Sequence, residues 1–416
     1  MKVLYFHQYF QTRSGSWPTR SHEFASHLVR AGHQVTMVAG LHDITAGEAG
    51  HSARESTVDG IRIIWLGIPY SQTLGKAGRL LSFAAYAALG SAVAARVDRP
   101  DVVFATSTPL TAGIPGLITA RLLGAPFVFE VRDLWPEIPI ALGYLRNPIA
   151  IASAKRLERL LYGEAQALIA LSPGMERGMV SMGADPRRIK IIPNMADLTL
   201  FSNPSPGLSW RSQVGIPEDA FVGVHHGTMG VVNDVGQLLD AAALLRGSGI
   251  FVALVGTGNQ RVALESRARA EGLSNVIFDG PRPRSMMPWV LRGADVGLMC
   301  VRHDPVLYDN CANKFGDCLA AGLPIFVTYS GWQGKLLERY EAGLVADTAQ
   351  DSESLARALL RLRDDPERAR MMGVNARALA RKHFAQDELV RQFEDVLVSA
   401  IEDHPRRKLP GIRMGD

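Results

Sequence analysis

The sequence predicts an α/β fold of two doubly wound domains facing across a cleft. Short apolar runs alternate with helical periodicity, the alternation halts at a Pro- and Ser-rich stretch and then restarts, and 416 residues suit two domains better than one. The first set of apolar runs lies at 3–6, 34–39, 61–65, 102–105, 127–131, 168–171 and 190–192. They are β-branched and apolar throughout rather than alternating, which marks strands covered on both faces. Helical segments fall between them, such as 22–31, ended by Gly32 as a left-handed cap. A second set of runs occupies 222–226, 251–255, 276–278, 296–300, 324–328 and 343–346, with helical segments at 238–245 and 317–321. Between the sets, 193–217 reads as a linker. The expected domains are therefore 1–195 and 196–385, with a terminal helix over about 386–416 packing back on the first. Ligands of open parallel sheets bind at the carboxyl ends of the strands, so two such domains make a cleft.

Composition narrows the class. With 47% hydrophobic and 21% charged residues, disorder, collagen-like repeats and disulfide scaffolds are excluded. A net charge of +4 suits phosphorylated ligands or an anionic membrane and gives no reason to expect nucleic acid. Cys300, Cys311 and Cys318 lack C-x-x-C spacing and are expected to be free thiols of a reduced, cytoplasmic compartment. The opening residues carry neither the apolar run nor the cleavage site of a signal peptide. Residues 80–95 are uncharged but fall short of the roughly 20 residues that span a bilayer. They form either a buried Ala-rich helix or a surface helix in which Lys76 and Arg79 flank an apolar body, giving a membrane contact through 76–96 on the inner face of the cell membrane.

Four segments are candidates for chemistry. The loop 11–18 follows the first strand, and Gly15 in it allows close approach of a ligand. Gly256 and Gly258 begin a dinucleotide-like fingerprint, but Arg261 stands where its third glycine belongs, so a tight turn under a nucleotide fits better than NAD binding. In 308–324, Asp309 and Asp317 lie eight residues apart around Asn313 and Lys314. A helix start there offers free amides and a positive dipole end to a diphosphate, and Lys314 adds a charge. Two carboxylates beside it suit sugar and ribose hydroxyls. Finally Glu130, Arg132 and Asp133 crowd the end of a buried strand, where charge faces the cleft or forms structural ion pairs. No Asp-x-Asp, H-E-x-x-H, P-loop or G-x-S-x-G motif occurs.

Taken together, the chain resembles the GT-B glycosyltransferases of family 4, in particular the WbuB-like group of polysaccharide and O-antigen enzymes. The resemblance is carried by HQYF, RSHEFASHLVRAGHQV at 20–35, EVRDLWPE at 130–137, IIPNMAD at 191–197, HHGTMG at 225–230, VGTGNQR at 255–261, NKFGDCLAAGLP at 313–324 and GLVAD at 343–347. It implies Rossmann-like domains, the first for acceptor and the second for a nucleotide sugar, UDP-linked, transferred with retention to a saccharide or lipid-diphosphate-linked acceptor. It implies no cofactor and no metal. By resemblance Asp309 contacts donor-sugar hydroxyls and Asp317 the ribose, replacing the family's Glu-x7-Glu pair. Gly227, Met229 and Gly230 fall in the matching donor loop, and Gly280, Pro281 and Arg282 lie where the base is held. The family's Arg and Lys after the first strand of the second domain correspond to Thr228 and Asn233, with Lys314 or Arg261 as replacements. Near Arg132, where the family often has a histidine, Asp133 and Glu130 are the acid–base candidates. A sugar-nucleotide 2-epimerase and an inactive sugar-nucleotide-binding protein are the alternatives.

Overall fold

The structure, a computed structural model, describes residues 1–12, 20–42, 54–70, 74–202, 209–346 and 351–405. The predicted pair of parallel-sheet domains is the fold found. Strands β1 (Lys2–Phe6), β2 (Gln34–His42), β3 (Arg54–Val58), β4 (Ile61–Tyr70), β5 (Val102–Thr106), β6 (Phe127–Val131), β7 (Ala167–Ala170) and β8 (Ile189–Ile191) make the first sheet, ordered β3-β4-β2-β1-β5-β6-β7-β8. All pairs are parallel except β3 with β4. Polar β3 escaped the sequence reading because it is an edge hairpin strand, without the doubly covered apolar run that marked the others.

The second sheet holds β9 (Phe221–Thr228), β10 (Ile250–Thr257), β11 (Val276–Asp279), β12 (Val296–Met299), β13 (Ile325–Val327) and β14 (Gly343–Val345), ordered β11-β10-β9-β12-β13-β14 and all parallel. Strand order reverses between β1 and β5 in one sheet and between β9 and β12 in the other. Those switch points are where the carboxyl ends leave a crevice.

The stretch between the sheets is more structured than a linker. Asn194 donates from Nδ2 to the Cys311 carbonyl at 2.5 Å, and the Ala196 amide donates to the Phe384 carbonyl at 2.7 Å. Helix Trp210–Val214 belongs to the second domain, with Trp210 buried and its indole donating to Asp279 at 3.1 Å. All three cysteines are buried free thiols.

The chain returns to the first domain through helix Gln386–Glu402. Its apolar stripe, Leu389, Val390, Phe393 and Leu397, covers the face of the first sheet that carries Tyr5 and Phe104. Phe393 stacks on Phe24 with centroids 4.1 Å apart and meets Phe104 edge-on at 4.9 Å. Glu394, one residue on, accepts from His27 and from His33, each at 2.7 Å. Phe393→Ala is expected to cost about 3–5 kcal/mol through lost burial and the cavity left behind. Urea unfolding measures that loss, and protease cleavage near 386–402 should accelerate with it.

The apolar segment at 80–95 lies in helix Lys76–Ala92, and the helical run Ala77–Ala95, 19 residues, is long and apolar enough to cross a membrane by length and composition. Only about a third of this run is buried inside the protein. Ser82, Tyr86 and Gly90 face inward at four-residue spacing, whereas Leu80 and Leu81 are 66% and 71% exposed. It is not the buried helix that its composition allowed.

Candidate active site

At the carboxyl ends of β9 and β10 the second domain opens a cavity of about 310 Å³. Its floor depends on glycine. Gly227 and Gly256 are ladder partners with φ of 110° and 138°, and a Cβ on Gly256 would lie 2.1 Å from the Gly227 carbonyl oxygen. Gly258 (φ 158°) approaches the Met229 carbonyl as closely. These glycines let two strand ends converge below the cavity, as a tight turn under a ligand requires.

One wall is the start of helix Asn313–Ala321, which Gly322 ends in the left-handed conformation. The helix begins four residues before Asp317, so that aspartate lies in its second turn rather than at its start. Ala312, the capping residue, carries only a methyl group and offers no side-chain acceptor to the first amides, and Ala312, Asn313, Lys314 and Asp317 all line the cavity. The Lys314 ammonium donates to Asn233 Oδ1 and to His225 Nε2, both at 3.2 Å. His225 is fully buried and donates from Nδ1 to the Leu298 carbonyl at 3.1 Å, leaving Nε2 as the acceptor that orients the lysine. Burial, with Lys314 and His226 beside it, holds His225 well below the usual histidine range. Burial likewise pulls Lys314 down to about 8. Its ammonium thus rests between Asn233 and His225 at the helix start.

Asp317 anchors the opposite side. Arg284 donates to its two oxygens at 2.5 and 2.6 Å, and His226 Nε2 lies 3.3 Å away. Burial raises this carboxyl, but the Arg284 guanidinium and His226 outweigh it and hold the group below the ordinary carboxylate range. Arg282 also lines the cavity, gripping Asp279 at 2.9 and 2.8 Å and lying over the Trp289 ring.

Several candidates take other places. Arg261 is turned away, donating to the carbonyls of Gly256 and Asp279 and to Glu265, so it braces the glycine turn instead of supplying a cation. Met229 is buried in the second core, its amide bonded to the Thr257 carbonyl. Gly230 stands beside Thr228 and Asn259. Gly15 lies outside the described residues. Asp309 does not join Asp317: its carboxylate lies over Gly174, 3.6 Å from Arg177, in a separate cavity. Ser172 holds the Asp309 carbonyl at 2.5 Å, which turns this loop toward the first domain. Spacing of eight residues suggested one shared face, but the chain bends between the two.

Across the cleft, Glu130 is fully buried and taken up by Arg20 at 2.8 Å and by Thr106 at 2.5 Å. Arg20 also donates to the Ile192 and Pro193 carbonyls, tying the ends of β6 and β8 together. Glu130 is thus a structural ion pair, not a reacting group. Asp133 accepts from Thr108 at 2.6 Å, and burial pushes its carboxyl up against the opposing pull of that bond and of Arg132. Arg132 reaches His7 Nε2 at 3.5 Å and its amide donates to Ser107. Sequence reasoning missed Arg284, His225 and His226. The adjacent histidines in HHGTMG were the available signal: two polar side chains inside an otherwise apolar strand.

A fixed cation, open helix amides and an anchored carboxylate around one cavity suit a ligand with a diphosphate and a diol. This arrangement on two facing parallel sheets defines a glycosyltransferase of the GT-B fold. Residues 17–195 match the Glycosyl transferase 4-like domain and residues 208–379 the Glycosyl transferases group 1 domain. Together the two matches span most of the chain, which belongs to the glycosyltransferases built from these two domains. It is 22% identical over 390 residues, 89% of this chain and 93% of the relative, to WcaI of Escherichia coli (strain K12), named as a colanic acid biosynthesis glycosyl transferase. Among solved structures, sucrose-phosphate synthase of Thermosynechococcus elongatus superposes with a TM-score of 0.77 at 16% identity, covering 96% of this chain and 99% of that one. HepE of Anabaena, solved with UDP and glucose, superposes with a TM-score of 0.71 at 18% identity, covering 96% and 100%.

Proposed function

We propose that the enzyme transfers a sugar, with retention, from a UDP-linked donor to a saccharide carried on a lipid diphosphate during cell-surface polysaccharide assembly. The observation that carries this reading is the Lys314 ammonium, held by His225 and Asn233 beside the open start of helix Asn313–Ala321. The names of WcaI and of HepE with UDP support the pathway class and the nucleotide.

In this scheme the donor diphosphate lies on Lys314 and the amides of Asn313 and Lys314, the ribose diol on Asp317, and the base toward Pro281 and Arg282. The bond from the anomeric carbon to the diphosphate oxygen breaks as charge builds on that oxygen, and Lys314 stabilises it without a divalent metal. The acceptor hydroxyl attacks from the same face, and its proton passes to the departing diphosphate oxygen. Asp133, braced by Thr108, orients the acceptor, with Arg132 and His7 beside it. A thermal-shift panel with UDP, GDP, ADP, dTDP and NAD, each with and without Mg²⁺, tests the donor site. Stabilisation by UDP of about 2.7 kcal/mol at 100 times its dissociation constant, unchanged by Mg²⁺, is the expected result. A shift with NAD alone, or only with Mg²⁺ present, overturns it.

The acceptor calls for a membrane surface, and exposed Leu80 and Leu81 on helix Lys76–Ala92 supply an apolar face. Leu80→Asp with Leu81→Asp should abolish pelleting with anionic vesicles while leaving the melting temperature unchanged. Equal pelleting of variant and wild type removes the membrane from the reading.

A further inference from the structure

A cavity of about 710 Å³ stands apart from the donor pocket. It lies on the far side of the 308–312 loop, where Tyr308 and Asp309 face it while Ala312 faces the donor site. Both chain crossings between domains line it, through Pro193 on one and Phe384 and Ala385 on the other. Its volume is that of a small-molecule site.

Cations from three elements converge on it. Arg177 comes from helix Pro173–Ser181 of the first domain, Lys335 and Arg339 from helix Trp332–Arg339 of the second, and Lys382 from the crossing segment Ala380–Phe384. Two acids also line it, and both are matched: Asp309 lies 3.6 Å from Arg177, and Glu388 pairs with Arg391 at 2.8 Å. Lys335, Arg339 and Lys382 have no carboxylate partner within 4.0 Å among the described residues. Their grouping opposes stability, because like charges four residues apart on a helix repel. Arg339 and Lys382 moreover share one ring, lying 5.9 and 5.4 Å from the Tyr340 centroid. Beside them His383 is held down, first by burial and then by Lys382 and Arg339. An anion placed among these side chains removes that repulsion.

The remaining walls describe the rest of the ligand. Leu171, Ile191, Trp332 and Phe384 give an apolar floor, and the Trp332 ring is pinned by its Nε1 donating to the Asn310 carbonyl at 3.2 Å. The Asp309 carboxylate and the Ser330 hydroxyl offer partners for hydroxyl groups. We propose that this hinge cavity is a second ligand site that takes a phosphorylated saccharide, its phosphate among Lys335, Arg339 and Lys382 and its ring against Trp332. The inference stands independently of the donor-site reading, since no residue is shared between the two cavities.

Calorimetric titration with glucose 1-phosphate, using the full chain, tests it. The Lys314→Met variant, which disables the donor pocket, should still bind the probe at one saturable site. Adding Lys335→Glu and Lys382→Glu, both at exposed positions, should weaken that binding by more than about tenfold without lowering the melting temperature. Glucose alone and inorganic phosphate alone should each bind more weakly than glucose 1-phosphate. A glucose diphosphate on a short prenyl chain distinguishes sources: tighter binding assigns the lipid-linked form, and equal binding assigns the free sugar phosphate. Absence of saturable binding in the Lys314→Met variant, or binding untouched by the two charge reversals, overturns the site. If wild type binds and the Lys314→Met variant does not, the probe has read the donor pocket and the hinge site is refuted while the proposed transferase site is kept.

Discussion

Replacing Lys314 by Met is expected to lower kcat/KM by about 10²–10³-fold while making the ligand-free protein more stable below pH 8. Loss of turnover follows from removing the cation proposed to stabilise the departing diphosphate, an effect of roughly 2.7–4 kcal/mol by comparison with other preorganised donors. The gain in stability follows from linkage. Burial has lowered this lysine from its unfolded value of 10.5 to about 8. Between those values the unfolded chain binds more protons than the folded one, so stability rises with pH across that window. Below about pH 8 the folded protein bears the whole cost of a desolvated ammonium, on the order of 3 kcal/mol. Methionine fills similar space without the charge. In wild type, activity should decline as pH rises through about 8, because the neutral amine no longer offsets the developing charge. Melting curves at pH 6.5 and 9.5, read beside kcat/KM for both proteins, check each part. A variant that loses stability equally at both values contradicts the assignment of Lys314 as a strained functional cation.

Asp317→Asn should destabilise the protein by about 3–5 kcal/mol despite its nearly unchanged shape, because it leaves the Arg284 guanidinium enclosed without its carboxylate. The sign with pH is opposite to that of Lys314. Asp317 is held below the ordinary carboxylate range, so its contribution is present above that range and fades as pH falls through its lowered value. The penalty in the variant should accordingly be largest near neutrality and shrink in acid. Nucleotide affinity should fall as well, since the proposed ribose acceptor is gone. A double-mutant cycle separates the causes: Arg284→Met alone and Asp317→Asn alone should each cost stability, and the double variant should recover part of the sum. Simple additivity would show that the pair contributes no coupling energy and that Asp317 acts on the ligand alone.

These two residues mark how far the sequence carried the candidate site. Lys314 and Asp317 were legible because an Asn-Lys-Phe-Gly-Asp run entering a helix that stops at Gly322 has few structural readings, and because it resembled a family motif. Asp309 was named by the same count of eight residues and proved to face a different cavity. Counting along a chain assumes regular geometry, and the segment between a short helix and the next one has none. Glu130 and Arg261 erred for another reason: a charge near a cleft looks the same in sequence whether it faces a ligand or an ion pair. Their partners, Arg20 and the carbonyls of Gly256 and Asp279, come from other turns of the fold. Arg284 was invisible because it lies in the Pro-Arg-Pro-Arg stretch after β11, where nothing local distinguishes one arginine from the next.

By itself the sequence determined the layering. Apolar runs without alternation require cover on both faces, and their interruption between 193 and 217 divided the chain into two sheets; both consequences are local and additive, so they can be read residue by residue. It also determined where ligands meet the fold, because the carboxyl ends of parallel strands are exposed by topology alone. Tertiary structure decided which charges are used. A buried ion pair, a depressed lysine and a cluster of unmatched cations differ only in what stands a few ångströms away, and those neighbours are brought by segments tens of residues distant. Asp309 is the plainest case: a count of eight residues set it beside Asp317, and only the folded 308–312 loop turned its carboxylate onto Gly174 and Arg177.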